Sequence, residues 1–212
     1  MDIKAAILHL KKNDSRLSMV IDTIGSIQFH KHTDSFCFLV GEIVGQMLSK
    51  SVKKVIFNRL NDLCNNSITP VGICSLSIEQ LRDIGLSTSK SSYIHNLANL
   101  VINNQINFTL LEALPDTEVI KYLTSIKGIG NWTAKMYLIF YLQREDVLPY
   151  EDGAFLQAYR WLYNTKRMEP KSISRKCSKW KPYTSIGALY LYRALDSGLT
   201  RTPINELIDE GK

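Results

Sequence analysis

The residues best suited to chemistry in this chain are a glycine-containing turn and an acidic pair that follows about twenty positions later. The turn reads Lys127-Gly128-Ile129-Gly130-Asn131-Trp132, and the pair is Glu151-Asp152. Glycines at a helix start let a phosphate approach main-chain N–H groups closely. A carboxylate can stabilise a cationic sugar or orient a water for attack on a glycosidic bond. Together they indicate an enzyme that acts on DNA rather than a protein that only coats it.

The turn is typical of a hairpin between two helices. A helix that ends near Ile126 needs a residue able to adopt positive φ, which Gly128 supplies. Gly130 leaves room beside the main chain, and Asn131 starts a helix whose N–H groups and dipole favour an anion. A lone Gly-x-Gly also occurs in ordinary helix connections, so its specificity comes from the flanking residues. These are the apolar anchors Leu123, Ile126 and Ile129 and the following Trp132-Thr133-Ala134.

Asp152 lies at the start of a predicted helix, after a turn that Pro149 makes rigid. Aspartate is a favoured helix N-cap, so a purely structural role explains its position well. The two roles are compatible, because the helix dipole keeps a carboxylate ionised at this position.

Composition narrows the class of protein and of partner. The net charge of +6 and the pI near 9.1 favour a polyanionic partner. The four cysteines form no C-x-x-C pair, which argues against a zinc ribbon, an iron–sulfur cluster and a disulfide scaffold. They are Cys37, Cys64, Cys74 and Cys177, and we expect reduced thiols. Since no apolar run approaches a membrane span, we expect a cytoplasmic protein.

The elements that would position these residues are helices. Apolar residues recur at helical spacing, for example at Ile3, Ala6, Ile7 and Leu10 and at Phe36, Leu39, Val40 and Ile43. Asp34, Ser49 and Ser77 are placed to cap helices, with Gln80 at the capping-box position. Further helices are predicted over 91–104, 116–126, 131–143, 152–164 and 183–196. We therefore predict a compact all-α protein of about ten helices with short connections.

The segment 165–182 is strongly basic. It contains Lys166, Arg167, Lys171, Arg175, Lys176, Lys179 and Lys181 against one acid, Glu169. A solvated face and a surface that contacts phosphates explain this segment equally well.

The string from Ile126 to Ala134, together with Asp152, resembles the helix-hairpin-helix-Gly/Pro-Asp (HhH-GPD) superfamily of base-excision DNA glycosylases. Within it the chain is most similar to the 3-methyladenine DNA glycosylase II group. The stretches Val44–Ser49 and Trp180–Ser185 and the glycine turn at Gly85 agree with this resemblance, which covers roughly residues 15 to 200. It implies one glycosylase unit over 1–212, with two helical lobes that flank an active-site cleft. One lobe is expected over residues 30–115, and the other over 1–29 with 116–212, including the hairpin 123–135.

The resemblance assigns roles to individual residues. Asp152 matches the catalytic aspartate, and Glu151 is its acidic neighbour without the main catalytic role. Met47 matches the residue that fills the gap left by an extruded base, although considered alone Met47 fits core packing better. Trp132 stands where bifunctional relatives have a nucleophilic lysine, so the chain should lack that route to strand cleavage. Lys135, one helical turn further on, is expected at the surface.

The implied substrate pocket is aromatic and open to variation. Trp132 and Tyr192 match pocket aromatics, although core packing is the alternative for both. Met136 and Gly153 replace residues that are aromatic in the best-known member of the group, so the pocket should be roomier. That member also has an N-terminal lobe for which this chain has little room.

The resemblance also implies contacts with DNA and a cation. The predicted DNA-binding residues are Gln46, Met47, Ser49, Lys127, Gly128, Ile129, Gly130, Asn131 and Thr133. Main-chain carbonyls of Thr124, Ile126 and Ile129 match a site for Na⁺ or K⁺. No cofactor is expected to be required, and no iron–sulfur cluster is expected.

The implied function is that of a monofunctional base-excision glycosylase. It would flip alkylated purines out of double-stranded DNA and hydrolyse the N-glycosidic bond, leaving an abasic site. We expect a monomer without membrane association, cytoplasmic and associated with the nucleoid. Two alternatives stay open: a non-catalytic DNA-binding module with the same hairpin, or the same fold acting on an oxidised or deaminated purine.

Overall fold

The computed structural model describes residues 2–28 and 32–206, which contain helices and no strand. The all-α prediction is confirmed. Thirteen α-helices lie wholly within the described ranges: α1 (Ile3–Asn13), α2 (Ser15–Ile24), α3 (Ser35–Gly45), α4 (Lys50–Leu63), α5 (Pro70–Cys74), α6 (Ile78–Asp83), α7 (Thr88–Ile102), α8 (Phe108–Leu111), α9 (Asp116–Thr124), α10 (Asn131–Met136), α11 (Gly153–Tyr163), α12 (Pro170–Cys177) and α13 (Thr184–Asp196). A π-helical segment, Tyr137–Tyr141, continues α10 directly, and short 3₁₀ turns occupy Ser178–Trp180 and Leu199–Arg201. Every helix in these ranges is too short or too polar to cross a membrane.

Polar caps define several helix starts as predicted. Asp34 accepts the N–H of Cys37, and Ser49 accepts that of Val52. Ser77 forms the predicted capping box at the start of α6. The structure has more helices than the predicted ten because the sequence did not reveal short ones such as α5 and α8, which are only five and four residues long. Helices this short show too few positions to reveal a helical period.

The chain divides into two compact units. The first comprises Met1–His30 with Gln143–Lys212, and the second comprises Lys31–Leu142. The predicted lobes differ from these units over residues 116–142, which the sequence placed with the chain ends. In the structure, α10 and the π-helical segment pack against α3. Sequence spacing does not reveal such a long-range contact.

Helix α3 forms the centre of the second unit. Nine of its eleven residues are buried, as expected for a helix that is apolar on all sides. The Phe38 ring meets the rings of Tyr137 and Tyr141 at centroid distances of 5.9 and 5.8 Å. The Ser35 and Tyr137 hydroxyls are hydrogen-bonded at 2.9 Å, and burial raises the pKa of Tyr137 to about 12. These contacts attach the helix that follows the hairpin to the core of its unit.

The core of the first unit surrounds Trp180, which is fully buried among residues of α1, α2, α11 and α13. The Trp180 indole donates to the Asp14 carboxylate at 2.8 Å, and the Lys179 ammonium lies 3.0 Å from the same carboxylate. The Tyr163 hydroxyl also donates to Asp14. Burial alone raises the pKa of Asp14, but these hydrogen bonds outweigh it and lower the pKa below 3.8.

Candidate active site

The predicted hairpin connects α9 to α10 within the second unit. After α9 ends, the N–H of Ile126 donates to Leu123 at 3.1 Å, and the N–H of Ile129 donates to Ile126 at 3.0 Å. Ile126 and Ile129 are buried, whereas Lys127, Gly130 and Asn131 are exposed. The apolar anchors therefore fix the hairpin, and its tip faces solvent.

The two glycines of the hairpin serve different needs. Gly128 has a φ of +95°, which confirms the predicted left-handed backbone. A Cβ at Gly128 would lie 2.3 Å from the ring of Tyr93, so this position also requires the absence of a side chain. A Cβ at Gly130 would meet no atom within 4 Å. Gly130 therefore leaves open space on the exposed side of the hairpin.

Helix α10 begins directly at this open space. Gly130 is its N-cap, and among the described residues no side chain caps the helix. Ala134 donates its N–H to Gly130 at 3.0 Å, so the helical pattern starts in the first turn. This arrangement presents main-chain donors and the positive end of a helix dipole, as an anion requires.

Met47 occupies the turn between α3 and α4. Its backbone has a φ of +58°, and the residue is 102% exposed. The Leu48 N–H closes the turn on Gly45 at 3.1 Å. The alternative that Met47 fills the core is therefore wrong. A fully exposed methionine on a left-handed backbone is unusual. Its apolar side chain is in water, and its backbone has a conformation that non-glycine residues rarely adopt.

Two residues beside Met47 that were predicted to contact DNA, Gln46 and Ser49, form hydrogen bonds within the protein. Ser49 uses its hydroxyl to cap α4, with the Val52 N–H at 3.3 Å. The carboxamide nitrogen of Gln46 donates to the Gly128 carbonyl at 2.9 Å and to the Thr133 hydroxyl at 3.2 Å. Thr133 is buried at 1% exposure. Its side chain thus faces the protein interior, which restricts its predicted DNA contact to the main chain.

Lys90 was missed by sequence reasoning. It lies in the first turn of α7, and its ammonium donates to the carbonyls of Val44 at 2.9 Å and Gln46 at 2.6 Å. Burial lowers the pKa of Lys90. A lysine three residues after the Ser87 cap and five after the glycine turn at Gly85 gave no sequence signal beyond a surface charge.

The predicted pocket residues of the second unit lie on α10. Trp132 is half-buried, and Met136 is buried at 4% exposure. The expectation that Lys135 lies at the surface is wrong, since this residue is only 8% exposed. The reason is that α10 is buried over most of its circumference, from Thr133 onwards.

Asp152 belongs to the first unit, where it is the N-cap of α11. Its carboxylate accepts the Phe155 N–H at 2.7 Å, and the residue is 9% exposed. Its own N–H donates to Pro149 at 3.0 Å. The predicted cap is therefore confirmed, and the side chain has a fixed orientation.

The loop that leads to Asp152 is anchored on α13. The Val147 N–H donates to the Ser185 hydroxyl at 2.9 Å, and that hydroxyl donates to the Val147 carbonyl at 3.2 Å. Thr184 donates to Asp146 at 2.9 Å. The stretch Trp180–Ser185, which contributed to the resemblance, thus includes residues that hold the aspartate loop.

Tyr192 and Gly153 complete the predicted pocket residues of this unit. Tyr192 lies on α13, which packs against α11, and it is half-buried beside the core. A Cβ at Gly153 would meet no atom within 4 Å. The roomier pocket stays a prediction.

The carbonyls predicted to bind a cation lie in the hairpin turn. The Ile126 carbonyl already accepts the Ile129 N–H, but a carbonyl oxygen has a second lone pair. The Thr124 hydroxyl donates to the Ile120 carbonyl at 2.8 Å. The predicted ligand is the main-chain carbonyl of Thr124, which is a separate group. Carbonyl oxygens are ligands that Na⁺ or K⁺ binds. The binding of a cation here stays a prediction.

The all-α fold, the solvent-facing helix–hairpin–helix turn and the helix-capping aspartate together define a class of helical proteins whose hairpin is suited to bind an anion such as a phosphate. The chain belongs to the HhH-GPD superfamily of base excision DNA repair proteins, whose family model matches residues 40–182.

Individual relatives are similar over nearly the whole chain. The alkylbase DNA glycosidase-like protein mag2 of Schizosaccharomyces pombe is 28% identical over 91% of this chain and 93% of its own length. The DNA-3-methyladenine glycosidase of Bacillus halodurans is 33% identical with a TM-score of 0.78, covering 95% and 94% of the two chains. The 3-methyladenine DNA glycosylase Mag1 of S. pombe, solved with abasic DNA, is 28% identical with a TM-score of 0.82, covering 90% and 96%.

Proposed function

We propose that this protein is a monofunctional DNA glycosylase that hydrolyses the N-glycosidic bond of alkylated purines in duplex DNA. The observation that carries the proposal is the buried carboxylate of Asp152, held as the N-cap of α11 in a chain of this superfamily. Two similar structures are named as 3-methyladenine glycosylases or glycosidases, and one of them is bound to abasic DNA. Abasic DNA is the product that such a reaction leaves.

DNA binding is assigned to the hairpin. Lys127, Gly130 and Asn131 are exposed, and the open space at Gly130 gives a phosphate access to the main chain. The overall charge of +6 supports attraction to the duplex. Because binding neutralises phosphates, it should weaken steeply with salt.

Base extrusion is assigned to the Met47 turn. An exposed apolar side chain can enter the stack and occupy the gap left by the extruded nucleotide. Extrusion is easiest where damage has weakened pairing or stacking, so this step contributes to selectivity.

Recognition of the base is assigned to the predicted substrate residues Trp132, Met136 and Tyr192. An alkylated purine is cationic or electron-poor, and an aromatic face favours it over a normal base by about 0.5–2 kcal/mol. The open space at Gly153 is expected to allow bases of different shapes.

Asp152 performs the chemistry. Its carboxylate stabilises positive charge that develops at C1′ and helps a water attack that carbon. A cationic base leaves without protonation, so one carboxylate suffices. Because position 132 is a tryptophan and not a lysine, no Schiff base forms there and the strand stays intact. The chemistry requires no cofactor and no iron–sulfur cluster, and Na⁺ or K⁺ at Thr124, Ile126 and Ile129 would support only the hairpin.

The deciding experiment is base release from a panel of duplexes with one defined lesion each. Wild-type protein should release methylated purines, Asp152→Asn should release none at a measurable rate, and both should bind the duplex. The matched control is Glu151→Gln, which removes the neighbouring carboxylate and should retain release. Equal release by Asp152→Asn would overturn the catalytic assignment, and binding without release by the wild type would favour a non-catalytic module. Release of only oxidised or deaminated purines would instead change the substrate class.

Two further measurements test the rest of the proposal. A covalent protein–DNA adduct trapped by borohydride would contradict the monofunctional assignment. Light scattering should show a monomer, and cell fractionation should recover the protein in the cytoplasm with the nucleoid.

A further inference from the structure

The Met47 turn is held from two sides by polar contacts within the second unit. On one side, the Lys90 ammonium binds the carbonyls of Val44 and Gln46. On the other side, the Gln46 carboxamide binds Gly128 and Thr133 of the hairpin segment. The turn is thereby connected both to α7 and to the proposed phosphate-binding hairpin.

Lys90 is an effective clamp because of where its charge lies. The two carbonyls belong to the end of α3 and the residue that follows it, where the helix dipole is negative and carbonyls lack helical partners. Hydrogen bonds from an ammonium are stronger than those between neutral groups. Helix α7 also supports the hairpin, since the Tyr93 side chain fills the space beside Gly128. One helix therefore fixes the positions of both the turn and the hairpin.

Gln46 is half-buried and its side chain is engaged within the protein, while its DNA contact stays a prediction. Both hydrogens of its amide nitrogen are directed at acceptors of the hairpin segment, and one acceptor, Thr133, is buried. Its main-chain carbonyl accepts from Lys90. Gln46 thus connects Lys90 to the hairpin through a single residue, and Met47 follows it directly in the chain.

The backbone of Met47 explains why such a clamp is needed. A non-glycine residue with φ near +58° persists only where the surrounding structure holds it. Without the clamp, the turn could relax to a more favourable backbone and the exposed methionine could fold against the surface. Both changes would remove Met47 from the position in which it meets DNA.

We propose that Lys90 and Gln46 are positioning residues that hold the Met47 turn and the hairpin in a fixed arrangement before DNA binds, so that base extrusion needs no reorganisation of the turn. This inference rests on the proposed role of Met47 in extrusion. It assigns Lys90 no contact with DNA and Gln46 no role in reading the sequence.

The test compares substrates that differ only in the difficulty of extrusion. Lys90→Met should slow single-turnover release of the base about 10-fold from a duplex in which the lesion is paired. The variant loses the contacts that hold the Met47 turn, although Lys90 takes no part in the chemical step. The same variant should release normally from a duplex in which the lesion faces an abasic analogue, because little pairing remains to be broken. Lys90→Arg should restore most of the rate, and Lys12→Met on α1 is the matched lysine deletion at an exposed site.

A double-mutant comparison separates positioning from folding. If Lys90 acts through Met47, Met47→Ala should slow paired-lesion release, and adding Lys90→Met should slow it little further. Additive effects, equal slowing on both substrates, or no slowing by Lys90→Met would each overturn the inference. Gln46→Leu provides an independent removal of the clamp if Lys90→Met proves unfolded by circular dichroism, and it should show the same substrate dependence.

Failure of the inference is distinguishable from failure of the proposed function. Extrusion can be followed without chemistry by the fluorescence of 2-aminopurine next to the lesion, with Asp152→Asn protein. If the wild type releases no base from any duplex, the proposed reaction is wrong, but extrusion by the Lys90 and Gln46 variants still decides the positioning role. Extrusion signals equal to that of the parent Asp152→Asn protein would refute it.

Discussion

Replacing Gly128 with alanine separates the architecture of the hairpin from its proposed contact with phosphate. Alanine would have to adopt the φ of +95° observed at this position, and a left-handed backbone costs an L-residue about 1–2 kcal/mol. Its Cβ would also lie 2.3 to 2.7 Å from three atoms of Tyr93, which must move. Overpacking of this kind costs about 1–3 kcal/mol, and the stiffer unfolded chain offsets about 0.4–1 kcal/mol. We expect a net loss of about 1–4.5 kcal/mol in the free energy of unfolding.

The matched control is Gly130→Ala, since the added Cβ would meet no atom of the protein within 4 Å. We expect it to lower stability by less than about 1 kcal/mol, the difference between glycine and alanine at an N-cap. It should nevertheless weaken binding to duplex DNA, because the methyl group occupies the space proposed for a phosphate. Urea unfolding followed by circular dichroism measures the first quantity, and fluorescence anisotropy of a labelled duplex measures the second.

A double variant tests whether Tyr93 causes the loss. In the Tyr93→Gly background, which removes the Cβ of Tyr93 as well as its ring, Gly128→Ala should lose its steric component and retain only the backbone cost, with a coupling energy of at least about 1 kcal/mol. Equal stability losses for Gly128→Ala and Gly130→Ala would refute this account of the hairpin. So would an absence of coupling to Tyr93 combined with a full loss in the single variant.

Three further predictions concern the aspartate loop, the buried carboxylate of the first unit and the hairpin lysine. Ser185→Ala removes both hydrogen bonds to Val147, so we expect a stability loss of about 1–3 kcal/mol and a lower kcat with little change in KM; a changed KM with normal kcat would contradict a role in holding Asp152. The lowered pKa of Asp14 means that its contribution to stability is present above the ordinary value of 3.8 and is lost as pH falls through the folded-state pKa; unfolding curves from pH 6 to pH 2 should therefore show a shallower acid loss for Asp14→Asn. Lys127→Gln should weaken DNA binding similarly for all sequences and reduce the slope of log K against log salt by about 0.9; an unchanged slope would exclude a phosphate contact.

The sequence predicted those parts of the fold that depend on local chemistry. The caps at Asp34, Ser49, Ser77 and Asp152 were found because an N-cap is defined within four residues. The left-handed glycine of the hairpin was found for the same reason. Such features require no knowledge of what packs against them.

Long-range contacts were not predictable in this way. The assignment of residues 116–142 depends on rings such as Phe38 and Tyr137, which are about a hundred positions apart in sequence. Burial of Lys135 depends on what surrounds α10, and the clamp by Lys90 joins α7 to the end of α3. A single sequence carries no record of these pairings, and a lysine looks like a surface charge unless its partners are known.

The basic segment shows the same limitation in its charges. Two of its lysines are engaged within the first unit, Lys179 with Asp14 and Lys181 with Asp146 at 3.7 Å. The Lys176 ammonium lies 4.7 Å from the centre of the Tyr163 ring. Part of the positive charge that could contact phosphates is therefore engaged in contacts within the protein. The number of basic residues in a segment overstates the charge it can present to DNA.

Asp14 and Asp152 show why a local pattern cannot identify a catalytic residue. Both are buried aspartates that cap a helix, and sequence rules treat them alike. In the structure Asp14 stabilises the core of the first unit, because donors from Tyr163, Trp180 and Lys179 surround its carboxylate. Asparagine caps a helix about as well as aspartate, so Asp152→Asn preserves the cap while it removes the charge. If base release is lost in Asp152→Asn with stability retained, the charge of Asp152 serves chemistry; if stability falls and release per folded molecule does not, Asp152 is a cap like Asp14 and the reagent lies elsewhere.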